Sequence, residues 1–276
     1  MKYFWDIVET IDRESCPGFE HFHWQHILWL VIFLAFVFVF SVMYRKAGAC
    51  SLCSETGHGV RPEGCRAPYC RKHIKALFSL VLIADAIFKF VIVVVNHVSI
   101  LNYMPLQLCY ISVILVIIHA FLREGTAAHR YIGNFLYLVG LPAGLSALLF
   151  PAWKALPAFA NAMSLHSFSS HIIFVSYIVM LLVSGEIRPE PKTVWVSVSA
   201  LILMSLGVYA FDVAFDMNYM YLLRLSAGSP LAPFEALGDY RLGYAIILAA
   251  LILVMYIIPA IMKHLPNNNN KKRLTQ

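Results

Sequence analysis

Apolar runs of roughly 20 residues, broken by shorter polar stretches, recur along the whole chain. Seven of them read as membrane-crossing helices, at about 25–44, 75–96, 106–122, 131–150, 167–184, 193–212 and 242–262. Trp24 and Trp29 flank or enter the first run, and Tyr44, Tyr131 and Trp195 sit near other proposed interfaces, where amphipathic rings are favoured. The pattern predicts an all-α membrane protein, a bundle of about seven transmembrane helices in one polytopic domain over residues 1–276. No internal repeat divides it.

Composition agrees with that pattern. Of the 276 residues, 60% are hydrophobic and 13% charged, with a mean hydropathy of +0.72. Soluble domains carry about 25% charge, so a water-soluble globule is excluded. Residues 1–24 mix polarities and hold Asp6, Glu9, Asp12 and Glu14, so no cleavable signal peptide is expected.

The net charge of +6 acquires meaning only from where the charges fall. Fifteen of the 21 Lys and Arg residues lie in the first, third and fifth connections and the tail. Five lie in the alternate segments, and Lys89 sits within a run. The positive-inside rule then predicts an outside N-terminus, a cytoplasmic C-terminus and a multi-pass protein of the plasma membrane. The same reading expects no nucleic-acid partner. It makes residues 46–74 a cytoplasmic Cys-rich insert and 266–276 a disordered basic tail that leans on anionic headgroups.

The orientation bears on chemistry because spans three and five run in the same direction. Cys109 lies a few residues into span three and His171 a few residues into span five, which places both in the outer-leaflet half. A free thiol is a weak nucleophile until a base takes its proton, so a cysteine and a histidine at one depth suit acyl transfer through a thioester. The opposing readings are core packing for Cys109 and a backbone-bonded helix-start histidine for His171. His119 is too deep for the role, and His166 is expected in the outer loop. Asp85 and Lys89, four apart, share a helical face and read as a structural ion pair. Near the last outer connection, Asp212 or Asp216 could orient His171, while Asn218 and Tyr219 could hold a headgroup or carbonyl. Asn96 and Gln107 complete the candidate substrate contacts.

Pro105-Leu106-Gln107-Leu108-Cys109, Ser167-Phe168-Ser169-Ser170-His171 and Asn218-Tyr219-Met220-Tyr221-Leu222 together resemble the YwaF-type integral membrane family of bacteria. The resemblance covers about residues 20 to 262. That family is similar to an animal membrane acyltransferase acting on lyso ether phospholipids, which implies catalysis by Cys109 and His171 on phospholipid or lysophospholipid partners, without an organic cofactor. The chain departs from the family pattern in two places: Gln107-Leu108-Cys109-Tyr110 stands where His-Leu-Cys-Asp is expected, and Gly238-Asp239-Tyr240-Arg241 replaces a Gly-Pro-Trp-rich entry to the last span.

The first loop carries Cys50, Cys53, Cys65 and Cys70. In a reducing cytoplasm, four such cysteines suit a tetrahedral structural Zn²⁺, with His58 and His73 as alternative ligands. The leading expectation is therefore a phospholipid acyltransferase or acyl-chain remodelling enzyme, with a lipid acyl hydrolase, in which water replaces the lysolipid, as its close variant. Its rival is a non-catalytic lipid-binding or receptor-like seven-helix protein with a zinc-stabilised loop.

Overall fold

A computed structural model describes residues 4–7, 18–48, 70–151, 156–225 and 232–257. No strand occurs among them. The chain divides into two compact units, residues 1–188 and 189–276.

The first unit is built around one helix, α6 (Ala162–Ser184), with α1 (Trp24–Gly48), α2 (Arg71–Val95), α3 (Leu108–Phe121) and α5 (Leu141–Leu149) packed on it. Helix α4 (Ala127–Phe135) leads into α5 through a π turn at Leu136–Gly140. The turn falls where Pro142, lacking an N–H, cannot continue the ordinary bonding ladder. Gly144 then lets α5 and α6 approach closely: a Cβ there would come within 2.3 Å of Val175 Cγ2 and 2.5 Å of Phe174 Cζ.

Helix α6 starts five residues before the expected span because Asn161 caps it. Its Oδ1 accepts from Met163 N at 2.9 Å and Ser164 N at 3.1 Å. The Ser-rich first turns are tolerated in a buried helix because their hydroxyls return to backbone carbonyls: Ser169 to His166 O at 3.0 Å and Ser170 to Ser167 O at 3.1 Å. The helix closes at Gly185, whose φ of +76° a side chain would strain. Gly185 N and Glu186 N bond back to Leu182 O and Leu181 O, each at 3.0 Å. This reversal delivers Glu186 to the foot of the bundle.

Aromatic packing fixes α1 against α6. Trp29 is sandwiched between Phe159 and Phe168, with centroids at 4.8 and 4.7 Å, and its indole donates to Ala158 O at 3.1 Å. Residues 4–7 strap the N-terminal end of α6: Ala162 N donates to Phe4 O at 2.7 Å, and Asn161 Nδ2 to Asp6 O at 2.8 Å.

In the second unit, α7 (Val194–Phe215) carries an apolar surface around most of its girth, and α8 (Leu242–Ile252) continues as a π turn to Ile257. By length and composition five helices could cross a membrane: α1, α2, the α4–α5 rod, α6 and α7 with its entry turn. The apolar helices Leu108–Phe121 and Leu242–Ile257 are shorter. At ~1.5 Å per residue α3 reaches roughly 21 Å, short of a ~30 Å hydrocarbon core. Pro105 and the extended Gln107 backbone delay its start.

Candidate functional site

Helices α3 and α6 are neighbours, and two hydrogen bonds set their register. Tyr110 OH meets His166 Nε2 at 3.2 Å, and Tyr177 OH meets His119 Nδ1 at 2.9 Å. The residue offsets are 56 and 58, so the helices run parallel, as the expected topology requires. Carried back to Cys109, that offset puts residues 165–167 at the thiol's level. His171 lies further along α6 by roughly 6–9 Å at ~1.5 Å rise per residue. The histidine level with Cys109 is therefore His166. The expectation that His166 sits in a loop is corrected: it lies inside α6 and is 2% exposed.

Around His166 the bundle gathers a polar cluster. Its Nδ1 stands 2.8 Å from Asp85 Oδ2, a charge-pair contact off the straight N–H···O line. Ser169 Oγ donates to the other Asp85 oxygen at 2.8 Å. With Nδ1–H turned toward Asp85, the Nε2 lone pair accepts the Tyr110 hydroxyl. Lys89, 5% exposed, donates to Tyr103 O at 2.9 Å and lies 3.5 Å over the Tyr110 ring. Asp85 and Lys89 thus engage different partners instead of forming the expected ion pair with each other. Burial drives this choice, since α6 offers hydrogen-bonding side chains to Asp85 while the Tyr103 carbonyl before α3 accepts from Lys89.

Beside this cluster, the Cys109 thiol donates to Ala143 O on α5 at 3.7 Å. His171 is buried, and its Nδ1 lies 2.6 Å from Ser167 O. A carbonyl oxygen only accepts, so Nδ1 carries the proton and Nε2 the basic lone pair. The tautomer suits a general base.

The remaining expected residues do other things. Asn96 ends α2 and donates to Trp5 O at 2.6 Å and Ile92 O at 2.8 Å. Gln107 begins α3, its carbonyl accepting from Ile111 N at 3.1 Å. Within the second unit, Asp212 Oδ1 accepts from Tyr219 N at 3.0 Å, and Asp216 pairs with Arg224. Asn218 staples its own loop, accepting from Leu223 N and Arg224 N at 3.1 and 3.0 Å and donating to Arg224 O at 2.8 Å. Tyr240 OH and Tyr244 OH brace the same turn through Tyr221 O and Met220 O. Cys70 is half-buried just before α2. Cys50, Cys53, Cys65 and His58, most of the 46–74 insert and the 266–276 tail lie outside the described residues. Among the described residues no group of three or more His, Cys, Asp or Glu is arranged to hold a metal ion.

A second polar cluster escaped the sequence reading. Glu186 accepts from Lys75 Nζ at 2.8 Å, from His129 Nε2 at 3.0 Å and from the Tyr44 hydroxyl. Lys75 also reaches Glu124 at 3.1 Å, and Arg71 covers the Tyr44 ring at 4.9 Å. Burial alone would raise the Glu186 pKa, but the bonds from His129, Lys75 and Tyr44 outweigh it and hold the carboxyl down at about 2. The signal available in sequence was Ser184-Gly185-Glu186, a helix-ending glycine followed at once by an acid.

The model of the TMEM164 family matches residues 21–258. No curated protein and no solved structure matches the chain.

Proposed function

Because the chain belongs to the TMEM164 family, a family of transmembrane proteins, we propose that it is a multi-pass membrane enzyme that transfers acyl chains between phospholipids. The observation that carries the reading is the contact of parallel helices α3 and α6, which sets His166 level with Cys109 and His171 between one and two turns beyond it. In this reading all seven apolar helices cross the plasma membrane, with the N-terminus outside and the cluster in the outer half.

Chemistry follows from the residues. His171 Nε2, roughly 6–9 Å along α6 from the thiol's level, takes the Cys109 proton through a bridging water, and the thiolate attacks the acyl carbonyl of a donor ester. The ester C–O bond breaks, and the departing alkoxide takes a proton from the Tyr110–His166 pair. A lysophospholipid hydroxyl then attacks the thioester, its proton passing to the same pair as the Cys109 sulfur leaves and recovers its own. Where the resembled family has an acid directly after the cysteine, this chain has Tyr110, which reaches the acid Asp85 through His166. The carboxylate is supplied from α2 instead of from the next residue.

We assign the Cys-rich insert a structural Zn²⁺ on Cys50, Cys53, Cys65 and Cys70, which would neutralise thiolates and anchor the loop at the start of α2. It takes no part in acyl transfer.

Purified protein in liposomes, given a lysophospholipid and an isotopically labelled phospholipid donor, should exchange acyl chains. Cys109→Ser and His171→Ala should each abolish exchange, and the double variant should be no worse than either. Normal exchange by Cys109→Ala would overturn the thioester reading.

A further inference from the structure

Two lysines of α2 are buried, and the fold treats them differently. Lys75 is 4% exposed and bonds two carboxylates, Glu186 and Glu124. Lys89 is 5% exposed and forms no ion pair among the described residues. Asp85, one turn away, has one oxygen against His166 and the other accepting from Ser169. An ammonium offers three donors, and Lys89 spends one on Tyr103 O. The ammonium also lies over the faces of Tyr110 at 3.5 Å and Tyr103 at 5.7 Å.

Aromatic faces stabilise a cation by only about 0.5–2 kcal/mol each, well below the cost of an unpaired charge in hydrocarbon. Position matters as much as charge. Lys89 lies six residues before the end of α2, roughly 9 Å below it at ~1.5 Å per residue, so if α2 spans the bilayer the lysine stands near one interface and not at its centre. The ring it covers belongs to Tyr110, the neighbour of Cys109.

We infer that Lys89, caged by Tyr103 and Tyr110, binds the phosphate of a glycerophospholipid and so sets the depth of its glycerol beside Cys109. Only a short glycerol backbone separates phosphate from acyl ester or free hydroxyl, so a phosphate on Lys89 presents those oxygens to Cys109 and to the Tyr110–His166 pair. This inference rests on the acyl-transfer reading for the use made of the site, but the binding itself does not. It makes Lys89 the residue that tells phosphate-bearing lipids from neutral glycerides. The α3 face supplies Tyr110 and α6 supplies His166 and Ser169, which occupy the two Asp85 oxygens, so that carboxylate is near Lys89 but forms no ion pair with it.

Native mass spectrometry of the full chain released from detergent micelles tests it, with 1-oleoyl-lysophosphatidylcholine and 1-oleoylglycerol as probes. They share chain and glycerol and differ in the phosphate headgroup. Wild type should bind the lysophospholipid about tenfold more tightly or better, the scale of a charge-assisted hydrogen bond. Lys89→Met should erase the preference, while Lys89→Arg should keep it, and the Arg variant decides the matter if Lys89→Met does not fold. Equal binding of both probes by wild type, or an unchanged preference in Lys89→Met, would overturn the inference. Displacement of both probes alike by inorganic phosphate would also overturn it, since the site would then read free phosphate. Cys109→Ser should bind as wild type does. Selective binding without any acyl exchange by wild type would sink the enzymatic reading and leave this one standing.

Discussion

Tyr110 on α3 and His166 on α6 meet at 3.2 Å, a bond that joins the residue after the candidate nucleophile to a histidine backed by Asp85. The three side chains come from three helices. They line up the thiol's neighbour, an imidazole and a carboxylate at contacts of 3.2 and 2.8 Å.

If that trio works as an acid–base relay, its removal should slow chemistry more than binding. Tyr110→Phe and His166→Gln should each lower kcat for acyl exchange by about 10²-fold, the lower range of general acid–base effects, with KM little changed. Asp85→Asn should lower kcat as well, because an amide offers Ser169 and His166 only one accepting oxygen where the carboxylate offers two. Full kcat in Tyr110→Phe would assign the trio to packing alone.

Close approach of α5 to α6 makes a second, purely steric prediction. Gly144→Ala puts a methyl within 2.3 Å of Val175 and should cost about 1–3 kcal/mol through overpacking. Gly207 in α7 meets nothing within 4 Å, so Gly207→Ala should be neutral or stabilising by up to about 1 kcal/mol. Melting of the purified variants in one detergent compares them directly. A Gly144→Ala protein that melts with wild type would refute the tight crossing.

The apolar helices were legible because lipid solvation demands long uninterrupted hydropathy, which leaves a plain mark in the residue order. The start of α6 was not. Ser164, His166 and Ser167 look like a polar loop, yet Asn161 caps the helix before them and their polar atoms are buried. That five-residue difference moved His166 inside the helix and displaced the depth match from His171 to His166. The Asp85–Lys89 pairing failed for a related reason. Spacing of four predicts contact along one helix but says nothing of stronger partners on the next. Glu186 went unnoticed because its importance comes from three other elements meeting it, and no local pattern encodes that convergence.

The loop before α2 makes a prediction independent of catalysis. Elemental analysis of chain purified under reducing conditions should give one zinc per molecule, lost on Cys53→Ser. Acyl exchange should survive that change, since the Cys109 cluster lies at the far end of α2 from Cys70. Protein free of zinc, or a loop labelled by an impermeant thiol reagent from outside intact cells, would defeat both the metal and the orientation.

Glu186 ties pH to stability with a definite sign. Its carboxyl is held at about 2 in the folded protein against an ordinary 4.5. A depressed folded pKa favours the native state above the unfolded value, and the benefit disappears as pH falls through the folded value. The Glu186 contribution should therefore be complete at pH 5 and above, shrink between about 4.5 and 2, and vanish below. At ~1.4 kcal/mol per unit the shift corresponds to about 3 kcal/mol, on the order of what breaking one partner of a buried pair costs. Glu186→Gln should lower the melting temperature clearly at pH 7, because Lys75 and His129 lose their shared carboxylate. The gap to wild type should narrow progressively as both are acidified from pH 4.5. A gap that stays constant down to pH 2.5 would mean that the ionised carboxylate contributes nothing beyond shape.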